Sequence, residues 1–487
     1  MNLSMIRYIL GNVLAVEGLL MAPCSIVGYL YGEAQAEVYL IMGVCTLLMG
    51  LMLRWKKPDN TVFYLKEGCV STALSWILMS IMGFLPFVLT GEIPGFVDAF
   101  FETVSGFTTT GASVLSDVEA LSFVSLFWRS FTHWIGGMGV LVFVLAVVPM
   151  NGGSHMNLMR AESPGPTVGK LVPRLRHTAR ILYLIYVVMT GIQIVLLLAG
   201  GMDPFDAVTL SFGTAGTGGF GIKNDSIAGY STYCQWVITV FMILCGINFN
   251  AYYLILLKQV KDAFSMEEVR AYLAVILGAV AIIFVSILDL CESAFDALTQ
   301  AFFQVGSIIT TTGYSTVDFD LWPTTAKLVL VLLMFIGACA GSTGGGIKVS
   351  RFLIVGKTVR KEIGSYIHPK SIKKIQMDGK PIEHEVVRST NVYFMAYTAL
   401  YCLFLFLISF EGMDLTSSFT AVAATFNNIG PGLGAVGPTC NFGGLTVFSK
   451  WVLSFAMLAG RLEIFPMLMV FHPTLWKDGF FSRRKES

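Results

Sequence analysis

Stretches of about twenty apolar positions recur along the chain, separated by short polar phrases. Examples are ILYLIYVVMTGIQIVLLLAG (181–200), AYLAVILGAVAIIFVSILDL (271–290) and NVYFMAYTALYCLFLFLISF (391–410). About 20 helical residues cross a bilayer core, so each run predicts a membrane span. A longer unit repeats four times: an apolar span, a short segment opening with Asp, a glycine-centred polar phrase, and a second apolar span. The Asp residues are Asp98, Asp206, Asp296 and Asp414, and the phrases are TTTGAS (108–113), AGTGGFG (215–221), ITTTGYS (309–315) and NNIGPGLG (427–434). From each Asp to Gly111, Gly218, Gly313 and Gly430 the gaps are 13, 12, 17 and 16. A helix capped by that Asp runs about 10 to 14 residues, too short to cross at 1.5 Å per residue. Each such segment is expected to enter the membrane and turn back.

Composition agrees with membrane burial. The 487 residues are 55% hydrophobic and 13% charged, too few charges to cover a soluble surface. Of the 32 Lys and Arg, 27 fall in loops or tails on one side, including Arg54 to Lys66, Arg160 to Arg180, Lys258 to Arg270, Lys348 to Arg388 and Lys477 to Lys485. That side is cytoplasmic by the positive-inside rule. The opposite loops carry Glu33, Glu37, Glu92, Asp98, Asp117, Asp203, Asp225, Asp318 and Asp320, an acidic mouth that would concentrate cations. Nine cysteines lack paired or metal-ligand spacing, and His155, His177, His368 and His384 sit in basic loops without a catalytic partner. No hydrolase, kinase or zinc pattern is present, so an enzyme is not expected. The N-terminus imitates a signal peptide ending at Cys24, but Glu17 and Pro23 argue for a retained span.

Irregular backbone at membrane depth persists only when buried in protein or lining a watery cavity. Four re-entrant loops satisfy that condition if they meet on one axis, where glycine permits close approach. Their carbonyls would then replace the hydration shell of a monovalent cation. The short helices would aim the negative ends of their dipoles at the same axis.

The four phrases, together with HWIGGMGVLVF (133–143), GACAGSTGGGIK (337–348) and AGRLEIFP (459–466), resemble the TrkH subfamily of the Trk/Ktr/HKT potassium transporters along essentially the whole chain. The resemblance implies an all-α polytopic membrane protein: a two-helix extension (1–57), then pore repeats over 58–150, 178–260, 268–360 and 388–476 around one central ion pore. It implies potassium as the transported ion, with no organic cofactor, and coordination at Thr109, Thr110, Gly111, Thr217, Gly218, Thr312, Gly313, Asn428, Ile429 and Gly430. Four filter glycines go with potassium preference in this family, and a serine at the first goes with sodium. The family further implies a homodimer in the lipid of the cell membrane, both termini cytoplasmic, docked on a cytosolic nucleotide-binding (TrkA-like) subunit. No nucleic-acid partner is expected.

The third repeat's second span holds five glycines between 337 and 346, each costing about 1 kcal/mol relative to Ala in a helix. The run predicts a broken helix, and the resemblance makes Gly341, Ser342, Thr343, Gly344, Gly345, Gly346 and Lys348 a gate below the filter. A phosphate-binding loop fails because Ile347 separates Gly346 from Lys348 and Val349 replaces the required hydroxyl. Arg461 lies mid-span, where a cation must face protein or water. The resemblance places it in the pathway, and pairing with Glu463 is the bland alternative. Arg129, Lys327 and Lys450 read as snorkelling residues at outer span ends, and His133 as part of a helix-packing signature. A sodium-permeable or Na+/H+-coupled carrier of the same fold is the alternative function. It would want a titratable pair, and Glu463 has no evident partner in the sequence. A membrane scaffold without transport would leave the four glycine phrases without a purpose.

Overall fold

The computed structural model describes residues 1–58, 64–139, 175–369 and 374–475. The end of the first repeat's second span, the basic loop that follows it and the C-terminal basic tail lie outside the described residues. Helices dominate, and six of them are long and apolar enough to cross a membrane among the described residues.

The N-terminal extension is Leu3–Leu20 and Ala22–Tyr31, jointed at Met21 with Pro23 in the first turn beyond the joint, packed against Gln35–Arg54. Small residues set this packing. A Cβ on Gly18 would strike the Gly43 carbonyl and the Leu47 backbone, and one on Gly50 would strike the Gly11 carbonyl and the Ala15 backbone. Close helix approach through glycine is how spans associate without a hydrophobic driving force.

Each repeat then opens with a long span: Leu65–Leu89, Leu175–Ala199, Glu267–Ile287 and His384–Ile408. Their outer faces are apolar and bare of protein. Leu184, Val188, Ile192 and Val195, at helical spacing, are exposed on the second. Short helices follow at Phe96–Phe107, Pro204–Gly216, Ala294–Ile309 and Leu415–Phe426, of 12, 13, 16 and 12 residues. Only Asp414 caps its helix, accepting from the Ser417 backbone N–H. The caps of the others are Gly95, Asp203 and Ser293, which puts Asp98, Asp206 and Asp296 at the third helical position instead. There an acid still meets the positive end of the helix dipole.

The second spans of repeats one, two and four depart from continuous helices, and that of repeat three is broken as its glycines predict. The first runs Phe123–Gly137 and reaches Gly139 with φ +76°. The second bends by 89° between Thr232–Cys245 and Phe249–Leu256. The third stops at Phe335 and resumes at Val349. The fourth stops at Arg461 and resumes at Phe465, with φ +53° at Glu463 and +74° at Ile464. The third break is announced by its glycine run, and the first helix ends among Gly136, Gly137 and Gly139, whereas the breaks in repeats two and four have a single glycine each, Gly246 and Gly460.

A hairpin of Gln376–Met377 and Lys380–Pro381 was not anticipated within the basic segment 361–388. Its turn, Asp378-Gly379, has positive φ at both residues (+51° and +72°), the geometry that Asp-Gly favours. Asp378 and Glu267 exchange backbone-to-carboxylate bonds of 2.7 and 3.1 Å, so the hairpin caps the third repeat's first span.

Candidate functional site

The four polar phrases begin where the short helices end, and they end in the same way. Thr109, Thr217, Thr311 and Asn428 all adopt φ between +54° and +59°. The N–H groups of the next residues, Thr110, Gly218, Thr312 and Ile429, donate five residues back, to Ser105, Gly213, Ser307 and Ala424, at 2.8 to 2.9 Å. Together with bonds from the left-handed residues themselves, three residues back, this is a Schellman termination. It turns the N–H groups toward the helices. Among the described residues no protein donor reaches the carbonyl oxygens of Thr110, Gly218, Thr312 or Ile429. Buried carbonyls ordinarily have a partner.

A glycine follows in every loop, with φ +80° at Gly111, +78° at Gly219, +88° at Gly313 and +102° at Gly430. The second phrase therefore aligns on Gly219, one residue beyond the Gly218 read from the sequence, and Gly218 matches Thr110, Thr312 and Ile429. The glycines interlock with those carbonyls in a closed circuit. A Cβ on Gly111 would overlap the Gly218 oxygen, one on Gly219 the Thr312 oxygen and one on Gly313 the Ile429 oxygen, while Gly430 comes against the Thr110 oxygen. Repeat one thus leans on two, two on three, three on four, and four on one. Asn428 also donates to Thr110 Oγ1 (2.9 Å) across the same closure.

His133 does more than pack helices. Its ring accepts from the Phe220 N–H at Nε2 (3.2 Å), which leaves Nδ1 to donate to the Gly106 carbonyl (2.8 Å). The neutral ring bridges the first short helix and the second loop, and a side chain on Gly218 would collide with it.

Directly beneath lies the glycine-rich segment of repeat three. It is pinched at its base, where the Gly337 N–H donates to the Ile347 carbonyl (2.8 Å). At its tip, the Gly345 N–H donates to Thr311 Oγ1 (2.6 Å), and Gly344 and Gly345 lie against the Thr310 and Asn427 carbonyls. The broken second span of repeat two holds one flank: Cys339 N–H to Gly246 O and Phe249 N–H to Gly341 O, both 3.0 Å, and Thr343 to Cys245 O (3.3 Å). Lys348 folds back on the Gly344 and Gly345 carbonyls, and Ser342 bonds within the turn to Cys339 O. Gly341 and Gly346 take φ of +70° and +66°. Glu268, buried in the first turn of the span Glu267–Ile287, accepts from the Ala340 N–H (2.7 Å) and the Ser350 N–H (3.1 Å), thereby gripping both ends of the segment.

Arg461 donates to the Thr343 carbonyl (2.9 Å) and to the Gly136 and Gly137 carbonyls (2.5 and 2.9 Å). It ties the glycine segment to the break in the first repeat's second span. Glu463 does not pair with it; its buried partner is Arg351, whose guanidinium also lies over Tyr393 at 3.8 Å.

Two of the residues read as snorkelling are buried and form ion pairs, Arg129 with a buried carboxylate and Lys450 with a partly exposed one. Arg129 meets Glu102 at 2.6 Å, and Lys450 meets Asp98 at 2.5 Å. Lys327 remains partly exposed and donates to the Asp320 carbonyl (2.9 Å). Part of the acidic outer loop set is structural: Glu33 accepts from the Phe123 and Val124 N–H groups at 2.7 and 2.9 Å, and Glu92 from Ser122 at 2.8 Å, all at one helix start. Sequence reasoning missed Gly219, Thr311 and Glu268. Thr311 was there to find as the second threonine of TTTG; Glu268 carried no signal beyond its place in a first helical turn.

Comparison with known proteins assigns this architecture. The family model TrkH, described as cation transport protein, matches residues 35–483. The Trk system potassium uptake protein TrkH of Vibrio parahaemolyticus is 36% identical over 486 residues, covering 98% of this chain and 99% of that protein. Its Escherichia coli K12 counterpart of the same name is 35% identical over 474 residues, with 96% and 97% covered. The crystal structure of the potassium transporter TrkH from Vibrio parahaemolyticus superposes with a TM-score of 0.88 at 32% identity, covering 98% of this chain and all of that one. Curated relatives are named as transporters rather than enzymes. Four re-entrant helices ending in one closed ring of glycines, carried on a multi-pass helical frame, are thus the frame of a known transport family, and this chain is a member of the TrkH family of Trk-system potassium uptake transporters.

Proposed function

We propose that this protein takes up potassium selectively across the cell membrane through the ring formed by its four loops. The observation that carries the reading is the closed glycine–carbonyl circuit, with its N–H groups turned away and its carbonyl oxygens left without protein donors among the described residues. Oxygens from Thr109, Thr110, Gly111, Thr217, Gly218, Thr312, Gly313, Asn428, Ile429 and Gly430, joined by Gly219 and Thr311, replace the water of a bare ion. Four helix C-termini converge there and add negative potential. An inside-negative potential of 100 mV supplies about 2.3 kcal/mol per ion, enough to drive inward accumulation.

The segment Gly341–Gly346 with Lys348 closes the path below the ring, and Arg461 adds a cationic barrier at the same level. Opening requires the segment to leave Thr311, Thr343 to release Arg461, and the loop to slide from beneath the ring. A cytosolic nucleotide-binding subunit of the TrkA kind supplies that pull through the basic cytoplasmic surface, on a homodimer with both termini cytoplasmic. The repeats act as the units 58–150, 178–260, 268–360 and 388–476 behind the extension 1–57. The coupled-carrier alternative gains nothing from Glu463, whose carboxylate is held by Arg351.

The test is ion flux into proteoliposomes under opposed potassium and sodium gradients. Uptake should follow potassium and the membrane potential. Sodium flux equal to potassium flux overturns the selectivity, and proton movement in fixed proportion overturns the channel-like path in favour of a carrier.

A further inference from the structure

A buried ion pair stands behind two of the four loops, and among the described residues no ion pair occupies the equivalent helical position in the other repeats. Glu102 comes from the first short helix and Arg129 from the second span of the same repeat, and both are essentially inaccessible, at 0% and 3% exposure. Their contacts converge on the residues just past two ring glycines. On the Gly111 side, Glu102 accepts from Ser113 Oγ (3.0 Å) and from the Val114 N–H (2.9 Å). On the Gly219 side, Arg129 donates to the Gly221 carbonyl (2.9 Å), and its guanidinium lies 3.8 Å from the centre of the Phe220 ring. A further Arg129 bond to Ser113 Oγ (3.2 Å) closes the network, so Nε, Nη1 and Nη2 are all engaged.

The same helical position in the other repeats, nine residues before the ring glycine, is Leu210, Gln304 and Ala421. Only Gln304 is polar there, and it bonds Thr316 within its own repeat at 3.2 Å. A buried pair of this kind is a weak source of stability, because desolvating two charges offsets much of their attraction. What the pair provides is geometry: a planar fork and a two-oxygen acceptor fix two loops at once, with no net charge added near the path.

We infer that Glu102 and Arg129 are positioning residues that set ion discrimination, holding the loops of repeats one and two at the separation potassium requires. The inference rests on the ring being the filter. Without the clamp these two loops relax around a smaller ion, while loops three and four keep their own supports. Tyr314 bonds across to Leu210 O (3.2 Å), and the Gly434 N–H bonds to Asp320 (3.1 Å).

The test compares potassium and sodium flux in proteoliposomes for the full chain, for Arg129→Lys and for the charge-neutral double variant Glu102→Gln/Arg129→Gln. Gly111→Ser serves as the ring control, and thermal unfolding is followed for each purified protein. Arg129→Lys keeps the charge but loses the fork; it should lower the potassium-to-sodium flux ratio about threefold. The double variant, which leaves no lone buried charge, should lower it at least tenfold while remaining folded. Wild-type ratios in both folded variants, with Gly111→Ser impaired, overturn the clamp and spare the filter. An unimpaired Gly111→Ser overturns the filter and the clamp with it. If the double variant does not fold, Arg129→Lys decides alone: an unchanged ratio rejects the inference and a reduced one upholds it.

Discussion

The outer and inner halves of the central path are built on opposite plans. The outer ring uses the same element four times: a short helix, a left-handed residue, and a glycine pressed on the next loop's oxygen. The inner closure is irregular. One repeat gives a pinched glycine segment, another gives Arg461, a third gives the Cys245 and Gly246 carbonyls, and the first gives the Gly136 and Gly137 carbonyls. Repetition suits a task that treats an ion alike from all sides. A part that must move on command is better made from unlike pieces, because one piece can shift without disturbing its equivalents.

If the ring is the filter and the glycine segment the gate, as proposed, ring changes should alter which ion passes and closure changes how much passes. The largest effect is expected at the ring. Gly219→Ser and Gly313→Ser each place a Cβ on a neighbour's carbonyl at a φ costing about 1 to 3 kcal/mol for a side chain. Both should cut the potassium-to-sodium flux ratio by tenfold or more, and an intact ratio in Gly219→Ser would restore the register through Gly218.

Removing Ser342–Gly345 should raise basal potassium flux about tenfold without a cytosolic partner and leave the flux ratio untouched. A changed ratio would mean the segment belongs to the ring. Glu268→Gln weakens two hydrogen bonds to a charged acceptor, each worth about 1.5 to 3 kcal/mol, while leaving an amide oxygen to accept. Basal flux should rise severalfold, by less than the deletion gives. Smallest in transport terms is Gly18→Leu, which forces apart the N-terminal helices remote from the path. It should lower the thermal midpoint, on the order of 1–3 kcal/mol of overpacking, with an unaltered ion ratio.

Much of the frame was legible because it is written in periodic apolarity and in glycine. The spans at 181–200, 271–290 and 391–410 fall on observed helices, overrunning their α-helical ends by one, three and two residues, and the glycine run at 337–346 is a break, as its helix propensity demands. The other breaks escaped because hydropathy is blind to φ. WVLSFAMLAGRLEIFPMLMVF reads as one span, yet Glu463 and Ile464 turn the chain within it. Gly219 was missed because two adjacent glycines are equivalent in sequence and only closure with Thr312 separates them. The buried charges were misread for want of partners. Lys450 finds Asp98 across 352 residues, a pairing no local rule could supply.

The circuit of glycines has a direction. Each loop yields to its successor and presses on none behind it in the same manner, so the four quadrants form a handed cycle rather than two facing pairs. A bulky group introduced in one quadrant should therefore displace the following quadrant first, and the disturbance returns to its origin only after passing the seam where Gly430 meets Thr110.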